Sequence, residues 1–156
     1  MTGETFARVF VSPLRRALDT CHLAGLGDAA VVLDALAEWD YGDYEGRTTA
    51  DIREEHPGWT VWHGPVPGGE TVTEVGARAG RVIEQATRAA DDDGPGPVAL
   101  FGHGHLLRVL SACWLGLEPD AGRLLALDTA TLNVLGWERE TKVLRRWNLT
   151  PRDGAP

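Results

Sequence analysis

Short apolar runs alternate along this chain with longer stretches in which apolar residues recur at helical spacing. Residues 6–11, 31–33 and 98–101 are rich in Val, Leu and Phe, which predicts three short buried strands. Residues 72–90 place Val, Ile and Ala three or four positions apart, which predicts an amphipathic helix. Strands that alternate with helices in this way indicate an α/β fold, a three-layer α/β/α arrangement with a mainly parallel sheet.

Signals at the ends of elements refine this prediction. Ser12 and Pro13 follow the first strand and predict a helix that continues to about Ala24, with Ser12 as its N-cap. Thr71 and Glu74 have the spacing of a capping box at the start of the long helix. The remaining predicted elements are short helices at residues 49–56 and 106–115 and strands at residues 124–127, 132–137 and 142–147, the last two as a hairpin.

The composition is that of one globular domain, with 156 residues, 43% of them hydrophobic and 24% charged. We expect the domain to cover residues 1–150 and residues 151–156 to form a disordered tail. The net charge of −8 argues against a nucleic-acid partner, because binding along a nucleic acid needs a basic face. A few arginines can still form a local pocket for a small anion.

The sequence also bears on location. No apolar run approaches the roughly 20 residues of a membrane span, and the first residues do not resemble a secretion signal. Cys21 and Cys113 sit in apolar surroundings without a C-x-x-C motif, and we interpret them as buried free thiols, typical of a reducing compartment. We therefore expect no membrane partner and a cytoplasmic location.

The first candidate for chemistry is the segment 12–16, where a strand passes into a helix. Backbone N–H groups at a helix start attract anions, and the planar guanidinium of Arg15 or Arg16 matches the oxygens of a phosphate. The alternative is that both arginines are ordinary solvated charges on the helix.

The second candidate is His103, which lies between two glycines directly after the third predicted strand. Ligands of open α/β sheets bind at this edge, and glycines let a ligand approach the backbone closely. A packed core histidine is the alternative. His103 and His105 as a metal pair are disfavoured, because no third ligand stands at a suitable spacing.

Two further segments combine acids with special loop residues. Acids and aromatic residues interleave in residues 36–46, and an acid walled by Trp or Tyr rings is suited to general acid catalysis. The alternative is an acidic loop with aromatic packing. Residues 67–71, PGGET, predict first a turn and a helix cap, although Glu70 or a backbone N–H group there could also face a ligand.

Several common enzyme classes lack their motifs here. The only serines are Ser12 and Ser111, and there is no G-x-S-x-G, which disfavours a serine hydrolase. The chain has neither a P-loop nor a G-x-G-x-x-G dinucleotide motif.

Four segments in this order resemble the histidine phosphatase superfamily, which has the phosphoglycerate-mutase-like fold. VSPLRRALDT at residues 11–20 is similar to its SSPLxRAxxTA segment, and LAEWDYGDYEG at residues 36–46 to its LxExxxGxxEG segment. PGGET at residues 67–71 is similar to its PGGES turn, and GHGHLLR at residues 102–108 to its HGxxxR segment. The resemblance covers roughly residues 6–137.

The resemblance implies a phosphate monoester hydrolase that acts through a phosphohistidine on a small phosphorylated metabolite. Arg16 would hold the phosphate, His103 would donate to the transferring phosphoryl group, and Glu38 would protonate the leaving oxygen. Glu45 would support the loop. No metal or organic cofactor is implied, a mutase is disfavoured because the chain is compact, and a homodimer stays open. The further substrate-binding positions that the resemblance implies are Gly104, Glu70 and Thr71.

One motif of the superfamily is not found in this sequence. The superfamily begins with a strand that ends in Arg-His-Gly, whose histidine is the nucleophile, whereas Met1 and Thr2 stand before Gly3 here. Only six residues separate Thr5 from Ser12, so we expect the first strand, most of the first helix and the nucleophile to be missing. Loss of a central strand would leave unpaired sheet edges.

Three hypotheses follow. The chain is a shortened phosphatase, from a misplaced start codon for example, or a non-catalytic domain that binds a phosphorylated ligand or a partner, or a chain that forms no stable monomer. We predict no phosphatase activity above background for the sequence as given.

Overall fold

Two sheets and four helices organise the part of the chain that the computed structural model describes, residues 5–94 and 96–150. The strands are β1 (Arg8–Val11), β2 (Ala30–Val32), β3 (Val98–Phe101), β4 (Leu132–Glu138) and β5 (Thr141–Leu149). The helices are α1 (Arg15–Leu23), α2 (Thr49–Glu55), α3 (Val72–Asp92) and α4 (Gly104–Trp114).

The larger sheet is parallel and has the order β2-β1-β3. Val9 of β1 pairs with Ala30 on one side and with Ala99 on the other, so β1 is the middle strand. Parallel neighbours end at the same edge of a sheet, and the residues after β1 and β3 are therefore brought together.

The two faces of this sheet carry different helices. Val9 and Val11 pack against Ala17 and Cys21 of α1, whereas Phe10 points to the opposite side and packs against the main core. Successive side chains along a strand point to opposite faces of the sheet. β1 therefore contributes to a small core beneath α1 and to the main core on the other face. The predicted three-layer α/β/α arrangement with a parallel sheet is confirmed.

The main core lies between the sheet, α3, α4 and the aromatic loops. α3 and α4 pack against each other through their apolar faces. The capping box predicted at Thr71 and Glu74 is present at the start of α3, and an unpredicted one at Thr48 and Asp51 begins α2. The fully buried contributors from α3 and α4 are Val75, Ala79, Val82, Leu106 and Val109.

β4 and β5 form a separate antiparallel hairpin, as the sequence predicted. Glu138 pairs with Thr141 next to the turn, and the indole N–H of Trp114 donates to the Val143 carbonyl at 3.2 Å. That hydrogen bond ties the hairpin to the end of α4.

The strand predicted at residues 124–127 is wrong. Residues Pro119–Leu124 form a 3₁₀ helix, and residues 125–128 are irregular. The Arg108 guanidinium binds the carbonyl oxygens of Gly122 and Arg123 at 3.1 Å each, so these backbone acceptors serve a side chain instead of a sheet. Leu124 is 71% exposed, which shows that the apolar run does not mark a buried strand.

Two helix starts also differ from the prediction. α1 begins at Arg15 after Leu14, and Ser12 does not cap it but accepts the Leu14 N–H at 3.2 Å. α4 begins at Gly104, two residues before the predicted start, because an acidic side chain from a distant loop accepts its first N–H groups. Local sequence does not encode that partner.

Three further expectations concern the ends of the chain, the two cysteines and membrane-spanning helices. The predicted tail at 151–156 lies outside the described residues, as do residues 1–4. Cys21 is buried and Cys113 half-buried, and both are free thiols whose pKa is raised by burial. None of the helices in residues 5–94 and 96–150 has the length and apolarity that a membrane crossing requires.

Candidate active site

The site begins where β1 and β3 end. The Ser12 N–H donates to the Phe101 carbonyl at 2.9 Å, which holds the two strand ends together. His103 follows β3 and is only 6% exposed, and its Nε2 lies 2.7 Å from the Ser12 hydroxyl oxygen. The fold thus converts two segments 91 residues apart into one polar cluster.

Arg16 fixes the protonation pattern of His103. The Arg16 Nε–H donates to Nδ1 of His103 at 3.0 Å, so Nδ1 is an acceptor and the neutral imidazole carries its proton on Nε2. Nε2–H then donates to the Ser12 hydroxyl. Burial, and next the Arg16 charge, lower the pKa of His103, which favours this neutral form.

The two neighbouring arginines have different environments. Arg15 has a side chain that is 93% exposed and makes a long ion pair of 3.7 Å with Asp19. Arg16 is also exposed, but it reaches back to His103, and its two terminal guanidinium nitrogens make no hydrogen bond within the described residues. The structure therefore brings Arg16, and not Arg15, to the histidine with donors to spare.

Glu38 occupies the N-terminus of α4. Its Oε1 accepts the backbone N–H groups of Trp39 at 2.9 Å and Leu106 at 3.0 Å. Its Oε2 accepts only a long hydrogen bond of 3.3 Å, from the His105 N–H. Helix starts present unpaired N–H groups, which explains why a carboxyl group settles here. Oε2 is the less committed oxygen of Glu38.

The loop that carries Glu38 packs directly on the Pro-Gly-Gly turn. The Asp43 N–H donates to the backbone carbonyl of Pro67 at 2.8 Å, and the Glu70 N–H donates to the backbone carbonyl of Asp40 at 2.9 Å. A Cβ atom on Gly42 would lie 2.2 Å from the Pro67 carbonyl oxygen, so only glycine allows this contact.

Glu70 and Thr71 make their polar contacts with other groups of this chain. The Glu70 carboxylate binds Arg78 and accepts the Asp40 N–H at 3.0 Å, while Thr71 caps α3. Gly104 is the first residue of α4, and a Cβ there would come no closer than 4.0 Å to Glu38. Substrate contact by these three residues remains a prediction.

Arg78 is the site residue that sequence analysis missed. Its Nε and NH2 bind the Glu70 carboxylate at 2.9 and 2.6 Å. Its NH1 donates to the carbonyls of Ala35 and Ala37 at 2.9 and 2.6 Å, and NH2 also reaches the Glu38 carbonyl at 3.3 Å. Its position in the helix could have identified it, because residue 78 lies between Val75 and Val82 on the buried face of α3, where a charged side chain needs partners.

His105 lies beside Glu38 but in a different setting from His103. Its ring meets the rings of Trp39, Tyr41 and Trp62 edge-on, at centroid distances of 6.1, 5.8 and 5.4 Å. Its Nδ1 is 2.6 Å from the Tyr41 hydroxyl. Burial is the main cause that lowers the pKa of His105 and raises that of Tyr41.

The model of the family described as "Histidine phosphatase superfamily (branch 1)" matches residues 1–150 of this chain. The chain belongs to the histidine phosphatase superfamily. The resemblance found in the sequence motifs is thereby confirmed, and the phosphoglycerate-mutase-like fold with it.

The relatives of this superfamily member include phosphatases and, at 34% identity over 140 residues, 2,3-bisphosphoglycerate-dependent phosphoglycerate mutases of Methylorubrum species, a match that covers 83% of this chain and 65% of those proteins. The chain is 39% identical over 142 residues to an acid phosphatase of Mycobacterium tuberculosis, a match that covers 91% of this chain and 68% of that protein. It is 36% identical over 138 residues to a sedoheptulose 1,7-bisphosphatase of Saccharomyces cerevisiae, which covers 75% of this chain and 51% of that protein. The chain thus spans about half to two thirds of the length of these relatives.

Solved structures agree with this assignment. A protein of Mycobacterium tuberculosis superposes with a TM-score of 0.84 at 39% identity, over 92% of this chain and 72% of its own. A mycobacterial glucosyl-3-phosphoglycerate phosphatase superposes with a TM-score of 0.76 at 28% identity, over 92% and 77% of the two chains. The superfamily fold therefore extends over nearly all of the chain.

Two imidazoles lie in this candidate site. The sequence contains five histidines, and His103 and His105 are the two that lie in the site. No Arg-His-Gly motif occurs in the sequence. Within the part of the chain that the structure describes, no group of His, Cys, Asp and Glu side chains is suited to hold a metal ion.

Proposed function

We propose that this site binds a small phosphate monoester, with the phosphoryl group between Arg16 and His103 and the leaving oxygen toward Glu38. The observation that carries the proposal is the Arg16 guanidinium, whose terminal nitrogens are unpaired within the described residues beside a buried imidazole. A planar guanidinium with free donors binds phosphate oxygens in pairs. The predicted partner, a small phosphorylated metabolite, fits this arrangement.

His103 is prepared to donate a hydrogen bond to a phosphoryl oxygen. Arg16 holds its proton on Nε2, and that N–H now points to the Ser12 hydroxyl. A bound phosphoryl oxygen would replace or share the serine as acceptor. The charge that builds on the phosphoryl oxygens is then stabilised by one cation and one neutral donor.

Glu38 supplies the proton that the leaving oxygen needs. Oε1 is committed to two backbone N–H groups, so Oε2 is the oxygen that holds and transfers a proton. Were the phosphoryl group transferred, a bond from phosphorus to a nucleophile would form as the bond to the ester oxygen breaks, and this proton would pass to the ester oxygen, which leaves as the alcohol. Glu45 accepts the Tyr41 N–H at 3.2 Å and supports the loop instead.

Hydrolysis through a phosphohistidine also needs a nitrogen lone pair that attacks phosphorus as the ester bond breaks. Nδ1 of His103 accepts from Arg16 and its Nε2 carries a proton, so neither nitrogen offers a free lone pair in this arrangement. This favours the alternative of phosphate-ligand binding without efficient turnover for the sequence as given.

The test is calorimetric titration with inorganic phosphate and with vanadate. Arg16→Gln should weaken binding about 10- to 150-fold, because a hydrogen bond to a charged group contributes about 1.5–3 kcal/mol. Arg15→Gln is the matched control, with the same substitution one residue away on an exposed side chain. Equal losses in the two variants would contradict the assignment of the phosphate to Arg16.

Turnover of p-nitrophenyl phosphate separates binding from catalysis. We expect no release of nitrophenol above background from a protein that nevertheless binds phosphate. Turnover that His103→Gln abolishes would contradict the expectation of binding without catalysis.

The proposal includes two further expectations. We place the protein in the cytoplasm, which the free thiols of Cys21 and Cys113 support, and a homodimer remains a prediction. Light scattering of the purified chain measures the oligomeric state directly.

A further inference from the structure

Glu38 turns one of its two carboxylate oxygens toward the proposed phosphate site. Oε2 lies 4.0 Å from the place that a Cβ atom on Gly104 would take, directly after His103, and the Glu38 charge acts on the His103 imidazole. Both oxygens accept backbone N–H groups, and the one bond to Oε2 is long, at 3.3 Å. An ionised carboxylate has no hydrogen to donate, so Oε2 meets a ligand as an acceptor.

Several charged or titratable groups share this environment with Glu38. They are Arg16 of α1, Arg78 of α3, Arg108 of α4, Tyr41 of the Glu38 loop, and His103 and His105 at the start of α4. Glu70 binds Arg78 at 2.6 Å, and Arg108 donates to two backbone carbonyls. Arg16 is the cation in contact with His103. An anion placed there therefore meets one cation and one carboxylate.

The carboxylate makes the hydrogen content of the anion important. Two oxygens that can only accept repel each other at contact distance, and they form a hydrogen bond only when a proton lies between them. Hydrogen phosphate carries a hydrogen that it can donate to Oε2, whereas sulfate has the same tetrahedral shape and no hydrogen. A phosphate monoester has such a hydrogen in its singly ionised form and lacks it in its doubly ionised form.

We infer that this site accepts a tetrahedral oxyanion only together with one proton, which lies between a ligand oxygen and Oε2 of Glu38. The site therefore selects hydrogen phosphate and singly ionised monoesters over sulfate and doubly ionised monoesters. The inference rests on the proposed function, since it needs the anion between Arg16 and His103. It makes Glu38 a residue that determines ligand specificity, because an unpaired acceptor at that place rejects the wrong anion.

The first experiment compares inorganic phosphate with sodium sulfate by calorimetric titration at pH 7.5. The unchanged protein should bind phosphate about 10- to 150-fold more tightly than sulfate, the equivalent of one hydrogen bond to a charged group. Glu38→Gln keeps an oxygen for the backbone N–H groups and places an amide N–H donor where Oε2 stood. Its affinity for sulfate should increase about tenfold or more, because the amide donates to an oxygen that the carboxylate repels.

Glu45→Gln is the matched control for this substitution. Glu45 is a second carboxylate close to Tyr41, and it accepts the Tyr41 N–H at 3.2 Å. The same change from carboxylate to amide there keeps the acceptor oxygen and leaves Oε2 of Glu38 intact. The preference for phosphate over sulfate should therefore stay within about twofold of that of the unchanged protein.

The second experiment follows the unchanged protein from pH 7 to pH 9. Burial lowers the pKa of His103 and His105 and raises that of Tyr41, so these three groups stay neutral across this range. The second pKa of a phosphate monoester is about 6, so its singly ionised fraction falls about tenfold per pH unit here. The affinity for phenyl phosphate should fall by about the same factor, whereas that for inorganic phosphate should change less than about twofold, because its dianion keeps a hydrogen.

These results distinguish the inference from the function on which it rests. If inorganic phosphate does not bind, the phosphate site itself is wrong and both fall. If phosphate binds and sulfate binds equally well, or phenyl phosphate keeps its affinity up to pH 9, only the inference falls. A Glu38→Gln protein that keeps its melting temperature but gains no affinity for sulfate also overturns it. If that variant does not fold, the pH dependence of the unchanged protein decides.

Discussion

Two arginines lie near the candidate site, and they are used in opposite ways. Arg78 has a side chain only 11% exposed, and five hydrogen bonds connect it with Glu70 and with the carbonyls of the loop before Glu38. Arg16 is exposed, makes one hydrogen bond through Nε and leaves its terminal nitrogens unpaired within the described residues.

The difference shows that the surroundings of Arg16 are suited to bind a ligand, whereas Arg78 fixes the backbone of a loop. A guanidinium whose donors are all engaged by protein oxygens fixes backbone geometry, because every donor defines the place of one acceptor. A guanidinium with free donors has its acceptors supplied from outside. This contrast supports our proposal that Arg16 binds the phosphoryl group, and we infer that Arg78 holds Glu38 in position.

The strongest test of this contrast is Arg78→Ala. It leaves the Glu70 carboxylate, 24% exposed, without its cation and leaves the Ala35 and Ala37 carbonyls without donors. Removal of one partner from a largely buried ion pair costs about 3–5 kcal/mol. We expect a loss of about 3 kcal/mol in the free energy of unfolding, measured by urea denaturation.

Arg81→Ala is the matched control for that experiment. Arg81 lies one turn further along α3 with an exposed side chain, so the same truncation removes a charge without breaking a buried pair. We expect less than about 0.5 kcal/mol there. A similar loss in both variants would show that Arg78 does not stabilise the loop.

The elements that sequence predicted well depend on local signals. β3 has the predicted bounds, and α3 starts at the predicted capping box, because an apolar run and a Thr-x-x-Glu spacing act within a few residues. His103, Arg16 and Glu38 were placed in one site by motif resemblance, and the fold brings their segments together.

What the sequence did not predict depends on partners far along the chain. Arg78 binds carbonyls 41 and 43 residues away, and the early start of α4 depends on Glu38, 67 residues before His105. The failed strand at 124–127 has the same origin, since Arg108 takes up the carbonyls just before it. No local pattern specifies such acceptors.

Ser12→Ala tests the region around Arg16 and His103, and its expected effect on stability is smaller than that of Arg78→Ala. The Ser12 side chain is fully buried, and its oxygen accepts from His103 Nε2 at 2.7 Å and from the Leu14 N–H at 3.2 Å. Truncation leaves the imidazole N–H without an acceptor, which costs about 1–3 kcal/mol for a buried donor. Urea denaturation should show a loss of about 1.5 kcal/mol.

Ser111→Ala is its control, because Ser111 is equally buried but donates only to the Leu107 carbonyl of its own helix. Such back-bonding contributes little to helix stability, so we expect a change near zero. Saturating phosphate should reduce the difference between Ser12→Ala and the unchanged protein, since a phosphoryl oxygen supplies the acceptor that alanine lacks. A difference that phosphate leaves unaltered would place the ligand elsewhere.

The smallest effect concerns the pH dependence of stability. Burial and the Arg16 charge lower the pKa of His103 below its ordinary 6.5, and Glu38 only partly opposes them. The unfolded chain therefore binds a proton at a pH where the folded one does not, and stability falls as the pH decreases below about 6.5.

His103→Gln removes this titrating group, so its melting temperature should decrease less steeply between pH 7 and pH 5.5, by at most the contribution of one proton. His63→Gln, on an exposed loop, is the control with the same substitution. The steeper decrease should persist in the control because His103 is intact there. If His103→Gln keeps the full slope, the imidazole is not held neutral, and a protonated His103 would then add a second cation to the phosphate site instead of a neutral donor.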